Sequence, residues 1–119
     1  RVRKTFPDKL IFAGFDEMLL PATVLGVDGA IGSTYNVNGI RAKQIFELAK
    51  NSKIAEALEI QHTTNDLIEG ILSNGLYQTI KEILKLEGVD AGYCRKPMKK
   101  ISQEQVEFAK ELHKKFFKN

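Results

Sequence analysis

Two short runs hold the residues best suited to chemistry. The first is Gly14-Phe15-Asp16-Glu17. It follows the apolar run Leu10-Ile11-Phe12-Ala13, so its two acids sit where a buried strand would end. Glycine at such an end lets a ligand approach the backbone. Carboxylates there can accept several hydroxyl donors, as a polyol demands. The same acids can instead cap the helix that follows and complement its dipole. The second run is Gly29-Ala30-Ile31-Gly32-Ser33-Thr34-Tyr35-Asn36. It too brings glycine and hydroxyls to a strand end, either as a polar ligand loop or as an N-cap region. It is neither a P-loop nor a dinucleotide fingerprint, because the Gly-Lys-Ser/Thr ending and the spaced glycines are missing.

Other candidates have plainer readings. His62 has only Asp66 at helical distance, which suits a solvated pair better than a metal site. His113 reads as a surface or packing residue. Cys94 precedes Arg95-Lys96-Pro97, whose charges favour a thiolate, but no histidine stands nearby and a structural thiol is the simpler reading. Tyr77 opens a helix on its apolar face, in a packing role or as a ligand contact. No metal site is expected.

The positioning elements follow from the same pattern. Asp16 to Gly26 reads as a short helix with acids at its start and Pro21 in its first turns. Strands near Leu10–Ala13 and Ala30–Ile31, joined by that helix, form a βαβ unit with parallel pairing. Ile40, Ile45, Leu48 and Ala49 then share a helical face. A helix from Ile54 to Ser73 turns Ile54, Leu58, Leu67, Ile68 and Ile71 inward. Leu76 to Leu86 shows Tyr77, Ile80, Ile83 and Leu84, with Gly88 as a C-cap. A last helix opens with the capping box Ser102-x-x-Gln105 and repeats Val106, Ala109, Leu112 and Phe116.

Two parallel strands cannot cover their own edges. The chain therefore reads as the C-terminal part of an α/β enzyme, its missing strands lying upstream or on another chain. Composition agrees. The 119 residues carry a net charge of +3, too weak a field to imply nucleic acid. No apolar run approaches the ~20 residues of a membrane span. One cysteine excludes an internal disulfide framework and a Cys-cluster zinc site, and a cytoplasmic setting fits.

The two strand ends carry a family resemblance. Phe12-Ala13-Gly14-Phe15-Asp16-Glu17 and Leu25-Gly26-Val27-Asp28-Gly29-Ala30-Ile31-Gly32-Ser33-Thr34-Tyr35-Asn36 resemble the N-acetylneuraminate lyases, or sialic acid aldolases. Gly92-Tyr93-Cys94-Arg95-Lys96-Pro97 is similar to their C-terminal signature. The related dihydrodipicolinate synthases typically read Gly-Asp-Asp and Ser-Val-Thr-Ala-Asn at the corresponding strand ends.

The resemblance implies the C-terminal portion of a (β/α)8 barrel, with strands seven and eight followed by extra C-terminal helices. Residues 1–50 would be the last two strand–helix units of this single domain, and 51–119 the terminal helices. It implies a class I aldolase that reversibly cleaves N-acetylneuraminate to pyruvate and N-acetylmannosamine through a lysine Schiff base, without metal or cofactor. The catalytic lysine and tyrosine would lie upstream of Arg1, leaving no catalytic residue in this segment. Gly14, Asp16, Glu17 and Ser33 would bind the substrate, with Tyr77 near its N-acetyl group. A homotetramer is implied, with no nucleic-acid or membrane partner. The alternatives are a related pyruvate-dependent aldolase and a non-catalytic helical interaction module.

Overall fold

The computed structural model describes residues 1–117. The elements run α1 (Val2–Thr5), β1 (Phe12–Ala13), a 3-10 turn (Asp16–Met18), α2 (Leu19–Val24), β2 (Gly29–Ala30), α3 (Tyr35–Lys50), α4 (Ile54–Ser73), α5 (Leu76–Leu86) and α6 (Gln103–Phe116). The strands pair in parallel, with Phe12 opposite Gly29 and Ala13 opposite Ala30. The expected βαβ unit is present, although each strand is two residues long. Burial on both faces is not achieved within the described residues. Leu10 is 75% exposed and Ile31 69%, because two strands supply no neighbours for their outer edges.

The chain divides into two compact units at Thr64/Asn65, inside α4. The first half of α4 belongs with the strands. Its Ala57 joins Leu19, Leu20, Ala42, Ile45 and Ala49 in one apolar cluster, with Tyr35 and Phe46 packed against it. In α3 the inward residues Asn38, Ala42, Ile45 and Ala49 follow helical spacing. Ile40 falls off that stripe and is 80% exposed, contrary to expectation.

The inward face of α4 also differs from its most apolar reading. Ile54 and Leu58 are exposed, while Ala57, Gln61 and Thr64 are buried. Two polar residues take core positions because each has partners. Gln61 Oε1 accepts the Leu20 N–H at 2.9 Å and its Nε2 donates to the Asp16 carbonyl at 3.3 Å. Thr64 Oγ1 accepts from Asn38 Nδ2 at 3.4 Å. Asn38, which leaves helical geometry at φ −119° and ψ 19°, also accepts from Arg41 Nη1 at 3.1 Å.

In the second unit Leu67, Ile68, Ile71, Ile80, Ile83, Ala109 and Leu112 are buried as their periodicity requires. Gly70 lets α4 approach α6, since a Cβ there would lie 2.6 Å from a methyl of Leu112. Gly88, at φ +88°, ends α5 as expected; the Val89 N–H reaches back to the Leu84 carbonyl at 2.8 Å. The capping box of α6 is formed in both directions by Ser102 and Gln105. Tyr77 is exposed rather than packed. His113 is buried, hydrogen-bonded through Nε2 to Glu87 and stacked on Phe117 at 5.5 Å, which realises the packing reading. His62 and Asp66 are both exposed.

Candidate active-site segment

β1 and β2 run side by side in register, so the loops after them leave from the same edge. The bonds between those loops are made by side chains. Asp16, 7% exposed, turns its carboxylate toward the second loop. Its Oδ2 accepts the Thr34 N–H at 3.1 Å and the Thr34 hydroxyl. Such charge-assisted bonds are stronger than neutral ones. The approach needs Gly32, because a Cβ there would lie 1.6 Å from Asp16 Oδ1. Asp16 thus supplies a cap, but for the donors at the start of α3 rather than for its own helix. Its own backbone carbonyl is held by Gln61.

Glu17 and Ser33 are half-buried, and Gly14 is exposed with nothing within 4 Å of where a Cβ would stand. Gly14, Asp16, Glu17 and Ser33 therefore gather at one strand edge, as the two runs require. Tyr77 belongs to the second unit, on the first turn of α5. Among the described residues no group of three or more His, Cys, Asp or Glu side chains could hold a metal ion.

One residue escaped the sequence reading. Tyr35 stands at the start of α3 with a half-buried ring, and its hydroxyl is sealed from solvent without a hydrogen-bond partner in the structure. Burial first, then the Asp16 carboxylate and more weakly Glu17, push its pKa well above the ordinary tyrosine value of 10.0. The phenol is therefore neutral at physiological pH. The available signal was its position directly after Ser33-Thr34, which puts a long hydroxyl-bearing side chain at the loop's return. Gln61 was missed as well, because an amide on a helical core stripe gives no warning that it will bond a backbone 41 positions away.

A different device closes the opposite strand edge. Arg3 donates to the Asp28 carboxylate, to the Lys9 carbonyl at 2.8 Å and to the Gly26 carbonyl at 3.0 Å. Asp28 Oδ2 also accepts the Ile11 N–H at 2.8 Å. The Ile11 N–H and then Arg3 hold the Asp28 carboxyl below its usual range. Among the described residues no lysine stands in the loop directly after β1 or β2, and Lys9 lies ahead of β1.

Comparison with known proteins agrees with the strand-end motifs. N-acetylneuraminate lyase of Fusobacterium nucleatum subsp. nucleatum is 94% identical over 119 residues, which are the whole of this chain and 41% of that protein. A crystal structure of the Fusobacterium nucleatum lyase complexed with pyruvate matches 99% of the chain and 40% of its own, with a TM-score of 0.96. CdNal from Clostridium difficile, in complex with mannosamine, is 72% identical with a TM-score of 0.96, covering 98% of this chain and 40% of that one. The chain thus spans about two fifths of the length of the relatives it matches. Its two strands and their helices are part of a (β/α)8 barrel. The family model for the dihydrodipicolinate synthetases matches residues 1–115, and the chain belongs to the Dihydrodipicolinate synthetase family.

Proposed function

We propose that the chain is the carboxyl-terminal part of an N-acetylneuraminate lyase, contributing strands seven and eight and the terminal helices. The whole enzyme cleaves N-acetylneuraminate reversibly to pyruvate and N-acetylmannosamine, in sialic acid catabolism in the cytoplasm. A lysine upstream of Arg1 forms the Schiff base, whose protonated imine receives the electrons of the breaking carbon–carbon bond; a tyrosine upstream moves the proton. No metal or cofactor is needed for that electron flow. The enzyme is a homotetramer. The observation that carries this reading is the joined strand edge, where Gly14, Glu17 and Ser33 stand around the buried Asp16–Thr34 link. Its likeness to proteins named as lyases, one complexed with pyruvate and one with mannosamine, supports the substrate class.

In this reading the segment supplies recognition. The Gly14 backbone, Glu17 and Ser33 meet the hydroxyl-bearing tail, Asp16 braces them, and Tyr77 serves the N-acetyl group. The exposed apolar residues of the strands, Leu10, Phe12 and Ile31, await the rest of the barrel. A groove of about 380 Å³ flanked by Gly29, Ala30, Tyr35 and Phe46 supports the same partner.

The test uses the complete enzyme. A carboxylate left without its hydroxyl donors disfavours a shortened substrate. Each lost bond to a charged group costs about 1.5–3 kcal/mol. Glu17→Ala or Ser33→Ala should lower kcat/KM for N-acetylneuraminate while sparing borohydride trapping of the pyruvate adduct. Equal losses on full-length and truncated-tail substrates, corrected for folded fraction, would reject the recognition role.

A further inference from the structure

The most isolated polar group at the strand edge is the Tyr35 hydroxyl. It is fully shielded and no group completes a well-formed hydrogen bond with it, yet the Asp16 carboxylate stands close enough to act on it both as a charge and as an acceptor, with Glu17 a weaker charge. A buried hydroxyl without a well-formed hydrogen bond is costly to maintain. Phenylalanine would pack the same ring against the same core without that cost. The hydroxyl therefore calls for a task that the static strand edge does not reveal.

Its surroundings narrow the task. The ring is packed against the cluster of Leu19, Leu20, Ala42 and Ile45, so the side chain cannot swing out to solvent without breaking that contact. Asp16 is anchored on one side only, through Oδ2 to Thr34. Its Oδ1 lies against Gly32, where no side chain competes for space. A neutral phenol beside a carboxylate can act in one direction, as donor.

We propose that Tyr35 is a positioning residue for recognition of a polyhydroxylated substrate: its hydroxyl donates to Asp16 when the strand edge is occupied, completing the brace that presents Glu17. The assignment rests on the reading of the chain as part of a lyase for a nine-carbon keto sugar acid. The Thr34 bonds fix Asp16 along the loop, and Tyr35 fixes it from the core. Together they remove the freedom of the neighbouring Glu17, whose own main chain is continuous with Asp16. Tyr35 touches no reacting atom in this scheme.

The experiment is Tyr35→Phe in the complete enzyme, with N-acetylneuraminate and a truncated-tail analogue as probes. KM for N-acetylneuraminate should rise about fivefold, the size of one hydrogen bond. The kcat, the borohydride-trapped pyruvate adduct and KM for the truncated analogue should stay at wild-type values. In a Glu17→Ala background the same change should have less than half that effect, because Tyr35 works through the acids. Unchanged KM, equal losses on both substrates, or full additivity with Glu17→Ala would overturn the role of Tyr35 and leave the lyase reading standing. A variant that fails to fold would assign the hydroxyl to the fold and overturn it too. A wild-type enzyme inert on N-acetylneuraminate would remove the lyase reading, and Tyr35's assignment with it.

Discussion

Gly32→Ala is the sharpest perturbation of the strand edge. The added methyl would stand 1.6 Å from Asp16 Oδ1 and 2.3 Å from its Cγ. Something must move, and two routes compete. If Asp16 leaves its seat, both bonds to Thr34 are lost at about 1.5–3 kcal/mol each, and Thr34 keeps an unsatisfied buried N–H. If instead the backbone around Gly32 shifts, the cost is that of overpacking, about 1–3 kcal/mol. The backbone route is cheaper and sets the expected loss at about 1–3 kcal/mol. It also displaces Ser33, the next residue, so recognition of the substrate tail should fall by more than stability alone explains.

Urea-induced unfolding of the complete protein measures the first effect, and kcat/KM on full and truncated substrates the second. Gly14→Ala is the control, because its methyl meets nothing within 4 Å. It should leave stability within about 0.5 kcal/mol, as surface changes usually do. A Gly32→Ala protein as stable as wild type, with unchanged tail recognition, would refute the close seating of Asp16 against that loop.

Three further outcomes follow from the geometry. Asp28→Asn should lower the unfolding midpoint at neutral pH. Because the folded Asp28 pKa lies below the ordinary carboxylate value, its contribution is present above that ordinary value. The gap to wild type should therefore close as pH falls through the lowered folded pKa; a gap constant with pH would refute the linkage. His113→Ala should destabilise by about 1–3 kcal/mol through loss of the Glu87 bond and the Phe117 stack, read in the same urea titration. The chain of 119 residues alone should give no borohydride-trapped adduct with pyruvate in intact-mass spectra, since none of its described lysines stands in the loop directly after a strand; a stoichiometric adduct at one of them would refute the placement of the catalytic lysine upstream.

What the sequence made legible depended on whether a signal was local. Pro21 near a helix start, Gly88 after a helix end and the Ser102–Gln105 box each act within a few residues, and each is where its chemistry places it. Helix faces were harder to read. Ile40, Ile54 and Leu58 are apolar and their spacing predicts an inward face, yet they are exposed while Asn38, Gln61 and Thr64 are buried. Hydrophobicity gives the stripe only when every core position is apolar. Here three are amides or hydroxyls whose hydrogen bonds cross 26 to 45 positions of chain, and no window of sequence contains both partners. The strand-end acids were visible as a pair, but not their division of labour, since orientation about a 3-10 turn is set by what Gly32 leaves open.

That division follows from how little backbone joins the two strands. Each is two residues long, and the ladder continues only through the Asp28 N–H to the Ile11 carbonyl and the Ile31 N–H to the Ala13 carbonyl. A carboxylate reinforces each end of so short a pairing. Asp28 binds the Ile11 N–H at the entry edge, and Asp16 binds the Thr34 N–H at the exit edge. The two links span 17 and 18 positions of sequence, so they cross-brace the same βαβ unit from opposite sides. The exit edge adds a second acid, the half-buried Glu17, and a glycine, Gly14, whose Cβ position is open. In a parallel barrel that is the edge where ligands bind. Adjacent acids at the exit edge are thus unequal: Asp16 fixes the loops, and Glu17 is the acid that the proposed function assigns to the substrate hydroxyls. The Asp16–Thr34 link holds the two loops together by bonds within the chain, with no ligand required to form it.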